Sequence, residues 1–408
     1  MFTNNFFNIL LNLDKNWQVT NVESDLETNE ITLVVDYINK LAKFPKTSDY
    51  FKIYDHTKIR KWRHLDTMQY KTFIECRLPR VKNKSGKIAT ILPPWASSHS
   101  HHTHLFEHAV IDLLLATKNQ TKTAELMRCS FKIINKIIHD STIRGLSRRD
   151  ESEFNNIKHL SIDEKSFKRN HKYITVLSDP ISGNIIDVEE DRTKESVTKL
   201  LDKTFTSEQQ ENVETISMDM WKAYLSVAKK KLINAAIVHD RFHLVQYLNK
   251  VIDKVRRREV KTNDELKNSR YTLLKNECNL TDKQKIQFET IKAGNYEVSK
   301  AWEVCANFKA LFRKETDKDK GLKLYNHWVK DAYGRQISEV DKVVEMFDNH
   351  IIGVVNALIS KFNNAMAERL NGKIQEIKTA GRGYRTFKNF RSVILFFHGG
   401  LELYPLKR

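Results

Sequence analysis

Between residues 159 and 238 the apolar pattern alternates between strand and helix periods, and no other feature limits the possible folds as much. Residues 159–163 read as a short strand. Residues 171–177, with Tyr173-Ile174-Thr175-Val176-Leu177 at their centre, read as a second. Asp179-Pro180-Ile181-Ser182-Gly183 has turn chemistry, and residues 184–188 return as a third strand. A helix is predicted over 194–205 and a fourth strand over 213–218. Near Met220 the period lengthens again, with Trp221, Tyr224, Leu225 and Ala228 at i, i+3, i+4 and i+7 of a helix. Residues 235–238 form a fifth strand. The order is β-β-β-α-β-α-β.

Two acids stand at strand ends in that order. Asp163 closes the first predicted strand and Asp219 the fourth. In a mixed sheet those strands can be neighbours, which brings the carboxylates together. Like charges a few ångströms apart repel unless a cation lies between them. Oxygen ligands of this kind suit Mg²⁺ or Mn²⁺. Two such ions about 4 Å apart activate an attacking oxygen and stabilise a leaving one in phosphoryl transfer. Glu368 is the third acid. On its predicted helix, 361–378, Met366, Leu370, Ile374 and Ile377 form an apolar stripe. Asn364, Glu368, Asn371 and Gln375 form a separate polar row, in which amides can bond phosphates and bases without repelling them. A lone Asp at a strand end is also an ordinary turn or cap residue, and a helical Glu is ordinarily solvated. The element order, which is that of the ribonuclease H-like fold, and the charge of the chain favour reading the three acids jointly.

That charge is +18, from 69 Lys and Arg against 51 Asp and Glu, and it suits a polyanionic partner. The excess is spread along the chain instead of being gathered on one amphipathic helix, which favours nucleic acid over a membrane surface. Cys76, Cys129, Cys278 and Cys305 form no CxxC pair, so a reducing compartment is expected. No uncharged apolar run of about 18 residues marks a membrane span. The apolar start, residues 1–13, lacks the basic region and cleavage site of a signal peptide.

Outside the alternating region, residues 1–45 read as one or two short elements and residues 50–95 as strands that end at Pro93-Pro94-Trp95. Two short helices, 123–127 and 131–139, follow an earlier one and precede Arg144-Gly145-Leu146-Ser147-Arg148-Arg149. They fit a helix-turn-helix whose Arg144, Arg148 and Arg149 meet DNA, or an ordinary helical hairpin. His99, His101, His102 and His104 resemble a metal tract, but an exposed loop fits them as well. Asp240 and His243 follow the fifth strand and are auxiliary candidates for substrate or metal, or a helix cap. Residues 243–355 are helical, charged and nearly free of Gly and Pro, as an inserted domain would be; Arg256-Arg257-Arg258 lies on one of its helix faces. Between residues 381 and 391, Arg382, Arg385, Lys388 and Arg391 interleave with Tyr384, Phe387 and Phe390. This fits backbone contacts plus base stacking, or aromatics in the core with cations facing solvent.

Several of these segments are familiar together. Asp55-His56-Thr57-Lys58-Ile59-Arg60-Lys61-Trp62-Arg63-His64-Leu65-Asp66, Pro79-Arg80-Val81, Ile162-Asp163-Glu164-Lys165-Ser166, Met218-Asp219-Met220-Trp221, Asp240-Arg241-Phe242-His243, Glu368-Arg369-Leu370-Asn371 and Gly383-Tyr384-Arg385 resemble, in order, the ISL-three family of bacterial insertion-sequence transposases. The resemblance implies a DDE transposase. It implies that Asp163, Asp219 and Glu368 align with the family's acidic triad and hold two Mg²⁺ or Mn²⁺ ions. It implies cleavage and strand transfer at the inverted repeats of an element, with double-stranded DNA as partner and a homodimer on it, at the nucleoid of a bacterial cytoplasm. Asn371, Arg382, Tyr384, Arg385 and Lys388 join the helix-turn-helix arginines as expected DNA contacts.

The family also carries cysteine pairs before Tyr-Asp-His and after Pro-Arg-Val. This chain has Lys46-Thr47-Ser48-Asp49 and Lys82-Asn83-Lys84-Ser85-Gly86 there, so no zinc is expected. The expected architecture is a ribonuclease H-like α/β core with an inserted all-α domain, preceded by a small β-containing module and a helix-turn-helix. Its boundaries are an N-terminal module over 1–97, the helix-turn-helix over 98–150, the first part of the core over 151–245, the insertion over 246–355 and core completion over 356–408. The alternatives are a catalytically inactive DNA-binding descendant and, more distantly, a junction-resolving nuclease.

Overall fold

A computed structural model describes residues 2–149, 151–168, 172–275, 277–313, 316–360 and 365–405; the side chains of 2, 3, 151, 153 and 365–368 lie outside that description. Two compact units result, Met1–Arg148 with Glu402–Arg408, and Arg149–Leu401. Among the described residues no helix is long and apolar enough to cross a membrane.

The first unit begins with helix α1 (Phe2–Leu10) and strands β1 (Trp17–Asp25), β2 (Glu30–Tyr37), β3 (Leu41–Lys43), β4 (Tyr50–His56), β5 (Arg60–Arg63), β6 (Lys71–Cys76), β7 (Pro79–Lys82) and β8 (Ile88–Thr90). Residues 1–45 thus hold a helix and three strands, more than their pattern led us to expect. The strands form two four-stranded sheets, β1-β2-β6-β5 and β3-β4-β7-β8. Trp17, Trp62 and Trp95 fill the first, with Trp95 edge-on to Trp17 at 5.1 Å and to Trp62 at 5.9 Å. In the second, β4 and β7 pair antiparallel with Ile53 opposite Val81 and His56 opposite Pro79. That register puts the turns at 44–49 and 83–87 at the same end of the sheet. These are the turns at which the resemblance places cysteine pairs. Beneath them Phe44 meets Phe51 edge-on at 6.0 Å, over buried Ala42 and Val81. Apolar packing holds the two hairpins together.

Three helices follow, α2 (His104–Thr117), α3 (Gln120–Leu126) and α4 (Phe131–Ser147). Thr103 caps α2 through Phe106 N, and Asn119 caps α3 by accepting from Lys122 N at 2.9 Å. Helix α4 runs two turns past its expected end at residue 139. The polar Ser141 and Thr142 do not stop it, because their hydroxyls bond back to the carbonyls of Ile137 and Ile138. Arg144 therefore lies inside the helix. Its guanidinium pairs with buried Glu107 and donates to the Leu403 carbonyl. Arg148 donates to the Tyr404 carbonyl at 2.6 Å.

The second unit contains α5 (Glu151–Asn155), β9 (His159–Lys168), β10 (Lys172–Asp179), β11 (Asn184–Glu190), α6 (Lys194–Thr204), α7 (Ser207–Glu211), β12 (Thr215–Met218), α8 (Lys222–Lys231) and β13 (Ala236–His239). They build a five-stranded sheet in the order β11-β10-β9-β12-β13. β10 runs antiparallel to both β9 and β11, whereas β12 runs parallel to β9 and β13 parallel to β12. Val197, Leu200 and Leu201 of α6 and Tyr224, Leu225 and Ala228 of α8 bury one sheet face against Leu160, Ile162 and Leu177.

From the sheet the chain enters a helical body: α9 (Arg241–Glu259), α10 (Arg270–Leu274), α11 (Asp282–Ala293), α12 (Glu297–Leu311), α13 (Lys318–Gly334), α14 (Ser338–Asp348) and α15 (Ile351–Ile359). Phe308 is the centre of its core, with Trp328 at 4.7 Å and Phe347 at 5.4 Å. Arg256 and Arg257 pair with Asp253, and Arg258 with Glu297 and Glu339. The arginine run is thus engaged within the chain. Helix α15 returns to the sheet, where Asn356 Nδ2 donates to the Ile237 carbonyl at 2.8 Å. Helices α16 (Ala365–Ala380) and α17 (Phe387–His398) complete the unit.

Two outcomes test this packing. Glu107 is buried, which would raise its carboxyl, but the His102 and Arg144 side chains outweigh burial and hold it below the usual glutamate value of 4.5. A depressed folded value stabilises fully above the unfolded one and fades as pH falls through the folded one. Glu107→Gln should cost about 3 kcal/mol at neutral pH by leaving Arg144 unpaired, and should flatten the acid side of the stability profile. Urea unfolding between pH 3 and 7 measures both. At Gly353 on α15 an added Cβ would lie 2.4 Å from the His239 ring. Gly353→Ala should therefore cost about 1–3 kcal/mol, read as a lower urea midpoint.

Candidate active site

The strand pairings decide where the acids lie. The parallel ladder between β12 and β9 ends with Ser217 opposite Ser161. Asp219 and Asp163 each stand two residues further on, so by the two-residue strand period both leave the ladder on the same face. Asp163 is not a strand end, as expected, because β9 continues to Lys168 along its antiparallel partner β10, where Asp163 faces Val176. It lies instead where its other neighbour stops. β13 extends the same edge: Asp240 N donates to the Met218 carbonyl at 3.0 Å.

Asp240 then starts α9 as its cap, one carboxylate oxygen accepting from Phe242 N at 2.7 Å. One turn into the helix, His243 reaches all three acids. Its Nε2 lies 3.8 Å from Asp163 and 3.7 Å from Asp240, and its Nδ1 lies 3.9 Å from Asp219. Asp163 and Asp219 each accept a short bond from the next backbone amide, Glu164 N and Met220 N, at 2.7 Å. Those bonds fix the carboxylate rotamers. Burial would raise Asp163, but hydrogen bonds to His243 and Asn371 and the nearby Lys165 charge outweigh it and hold it ionised. Burial would lower His243, but the surrounding carboxylates raise it.

The helix α16 closes the site. Leu370, Ile374 and Ile377 are buried, and Asn371 Nδ2 donates to Asp163 Oδ2. Gln375 faces solvent, beside Thr379. Glu368 precedes Asn371 by three residues on this helix; its side chain and all of Asn364 lie outside the described residues.

The structure adds residues that the pattern did not single out. Tyr247, one turn beyond His243, faces Asp219; burial and that carboxylate raise its hydroxyl. Arg192 gives both oxygens of Glu164 a bond at 2.9 Å and lies between the rings of Tyr173 and Trp221, at 4.2 and 4.8 Å. Glu164 follows Asp163 directly and Trp221 comes two residues after Asp219, so this stack braces both acidic turns. Their adjacency to the acids was the only signal in the sequence.

The remaining candidates separate. Arg149 donates to the Ile186 and Gly399 carbonyls, at 2.7 and 2.9 Å, and is engaged within its own unit. His102 is buried against Glu107. In the 381–391 segment Phe390 is buried, stacked on Phe167 at 5.3 Å and near Tyr384 at 5.0 Å, while Arg382, Arg385 and Lys388 are exposed. The aromatics there pack the fold, Arg391 pairs with Asp187 within it, and the other three cations face solvent. Among the described residues no group of three or more His, Cys, Asp or Glu has the geometry to hold a metal ion. The described cluster is arranged around the His243 imidazole. Its donors, hard carboxylate oxygens on a basic chain, fit a divalent cation in charge and type.

Clustered carboxylates at the edge of a mixed sheet, on a chain of charge +18, suit an enzyme that acts on nucleic acid. Residues 160–394, more than half of the chain, match the transposase domain of family ISL3, and residues 91–142 match the helix-turn-helix domain of that family. The chain belongs to the ISL3 family and is a DDE transposase. It is 23% identical over 356 residues to the transposase for insertion sequence element IS1557 of Mycobacterium tuberculosis, covering 80% of this chain and 79% of that one. It is likewise 23% identical over 352 residues to the transposase for IS1001 of Bordetella parapertussis, covering 82% and 83%. A solved structure, the Drosophila P element transposase strand transfer complex, aligns at a TM-score of 0.38 and 10% identity over 79% of this chain and 95% of that one, a likeness too slight to argue from.

His243 faces the carboxylates of Asp163, Asp219 and Asp240, which raise its imidazole. His243→Gln should lower the melting temperature in chelator by about 2–4 °C, a loss near 1 kcal/mol for a unit of this size. It should also enlarge the rise produced by Mn²⁺. Equal melting of variant and wild type in both conditions would overturn this role.

Proposed function

We propose that this transposase cuts DNA at the inverted repeats of its insertion sequence and joins the freed ends to target DNA, with Asp163, Asp219 and Glu368 as the acidic triad on a ribonuclease H-like core. The observation that carries the reading is the in-register placement of Asp163 and Asp219 on adjacent parallel strands. The strand order 3-2-1-4-5 supports the fold. In hydrolysis, water attacks phosphorus, the P–O3′ bond breaks and the 3′-hydroxyl leaves with a proton. In strand transfer that hydroxyl attacks a target phosphorus and gives up its proton, while the target's own P–O3′ bond breaks and the displaced 3′-oxygen leaves with a proton.

DDE transposases generally use divalent metal ions, and Mg²⁺ or Mn²⁺ bound here would supply charge stabilisation to the attacking and leaving oxygens. The chain's own residues do the rest. Asn371 orients Asp163, the backbone amides of Glu164 and Met220 fix the carboxylates, and Tyr247 braces Asp219. Asp240 and His243 are auxiliary groups at the same edge. We assign end recognition to the helix-turn-helix, a homodimer to the reaction because two element ends must be cut together, and the bacterial nucleoid as its place of action.

Purified protein should nick a labelled duplex carrying the inverted repeat with Mg²⁺ or Mn²⁺. Asp163→Asn, Asp219→Asn and Glu368→Gln should each lower the rate at least about a hundredfold while binding persists. Cutting that survives all three substitutions sinks the triad. Salt-sensitive binding without any metal-dependent nicking by the wild type favours an inactive DNA-binding descendant, a reading motivated by the two hairpin turns that lack cysteines.

A further inference from the structure

Beyond the acids, β9 and α16 run side by side and are joined at three levels. Asn371 bonds Asp163; Lys378 Nζ donates to the Ser166 carbonyl at 2.7 Å; Lys168 Nζ donates to the Arg385 carbonyl at 2.6 Å, in the loop after α16. Above the last two levels lies a cleft of about 780 Å³ lined by Ser166, Lys168, Lys378, Arg382, Tyr384 and Arg385 among others. Four cations line it and no carboxylate does. Among the described residues no carboxylate forms an ion pair with Arg382 or Arg385, and both are exposed. The loop is shaped for this. Arg382 and Gly383 both adopt left-handed backbone, at φ 48° and 90°, and the Tyr384 ring lies back over Gly381 against Phe390. The arginines are therefore presented by a loop whose aromatic is fixed.

We infer that this cleft is a phosphate-holding subsite for the DNA strand that leads into the active site, a proposal that rests on the triad reading above. The distances agree by two routes. Seven helical residues separate Asn371 from Lys378, about 10 Å at 1.5 Å each. Three strand residues separate Asp163 from Ser166, again about 10 Å. At a rise of about 3.4 Å per nucleotide, the cleft takes the backbone about three nucleotides from the reacting phosphate. Its cations contact phosphates and do not read bases, so it positions the strand without selecting its sequence.

The test uses the full chain and a fluorescein-labelled duplex ending in the element's inverted repeat. Each phosphate neutralised adds about 0.9 to the slope of log affinity against log salt. Arg382→Gln with Arg385→Gln should reduce that slope by about 2. Lys283→Gln with Lys285→Gln on α11, an equal loss of charge, should leave it unchanged. Single neutral methylphosphonates two to four nucleotides from the cut should weaken wild-type binding and leave the arginine double variant unaffected. An unchanged slope in a double variant with the wild-type circular dichroism spectrum overturns the subsite, whether or not the protein nicks DNA. A reduced slope in a protein that never nicks keeps the subsite and rejects the triad.

Discussion

The β9–β12 pairing sets Asp163 and Asp219 on the same face at the end of one ladder, and their repulsion is the constraint that the surrounding structure answers. Like charges brought to one edge disfavour each other's ionised form. The site offsets this with the His243 imidazole among three carboxylates, the Asn371 amide on Asp163 and Lys165 close by. Each of these comes from a different element: α9, α16 and β9 itself. The acids are thus met by hydrogen-bonding and positive groups that the chain itself supplies.

Those elements are anchored well away from the acids. α9 begins at Asp240 and continues without a break into the helical body, so the helix that carries His243 and Tyr247 is also the first wall of that body's core. Within the body α9 is tied to the end of α15 by Arg241, which donates to the carbonyls of Ala357 and Ser360 at 2.9 and 2.6 Å, and α15 is tied to the sheet by Asn356 on Ile237. Helical body and acidic edge share one helix. In the first unit the same economy appears differently: edge-to-face tryptophans and the Phe44–Phe51 pair hold sheets whose turns carry lysine and serine.

Much of this was legible in the residues. The strand and helix order from 159 to 239, the existence of α16 and the helical character of the insertion all follow from period and turn chemistry. What failed were ends and neighbours. β9 outran its expected limit at Asp163 because an antiparallel partner supported it, and α4 outran residue 139 because two hydroxyls turned inward on their own helix. Arg144, Arg148 and Arg149 look like a basic trailer in sequence; in the fold each guanidinium caps a carbonyl, and Arg144 also answers a buried carboxylate. A charged residue reads the same in sequence whether it faces solvent or a partner, because its partner is distant along the chain.

By itself, then, the sequence determined on which kind of element each candidate residue sits, since that depends on local period, turn propensity and charge. Only the tertiary structure decided that Asp163 and Asp219 share a face, that His243 stands among the acids, that Asn371 reaches Asp163 across some 200 residues of chain, and that Arg192 braces both acidic turns. These are consequences of strand register and helix docking, and register is a property of pairs of segments that neither segment encodes alone.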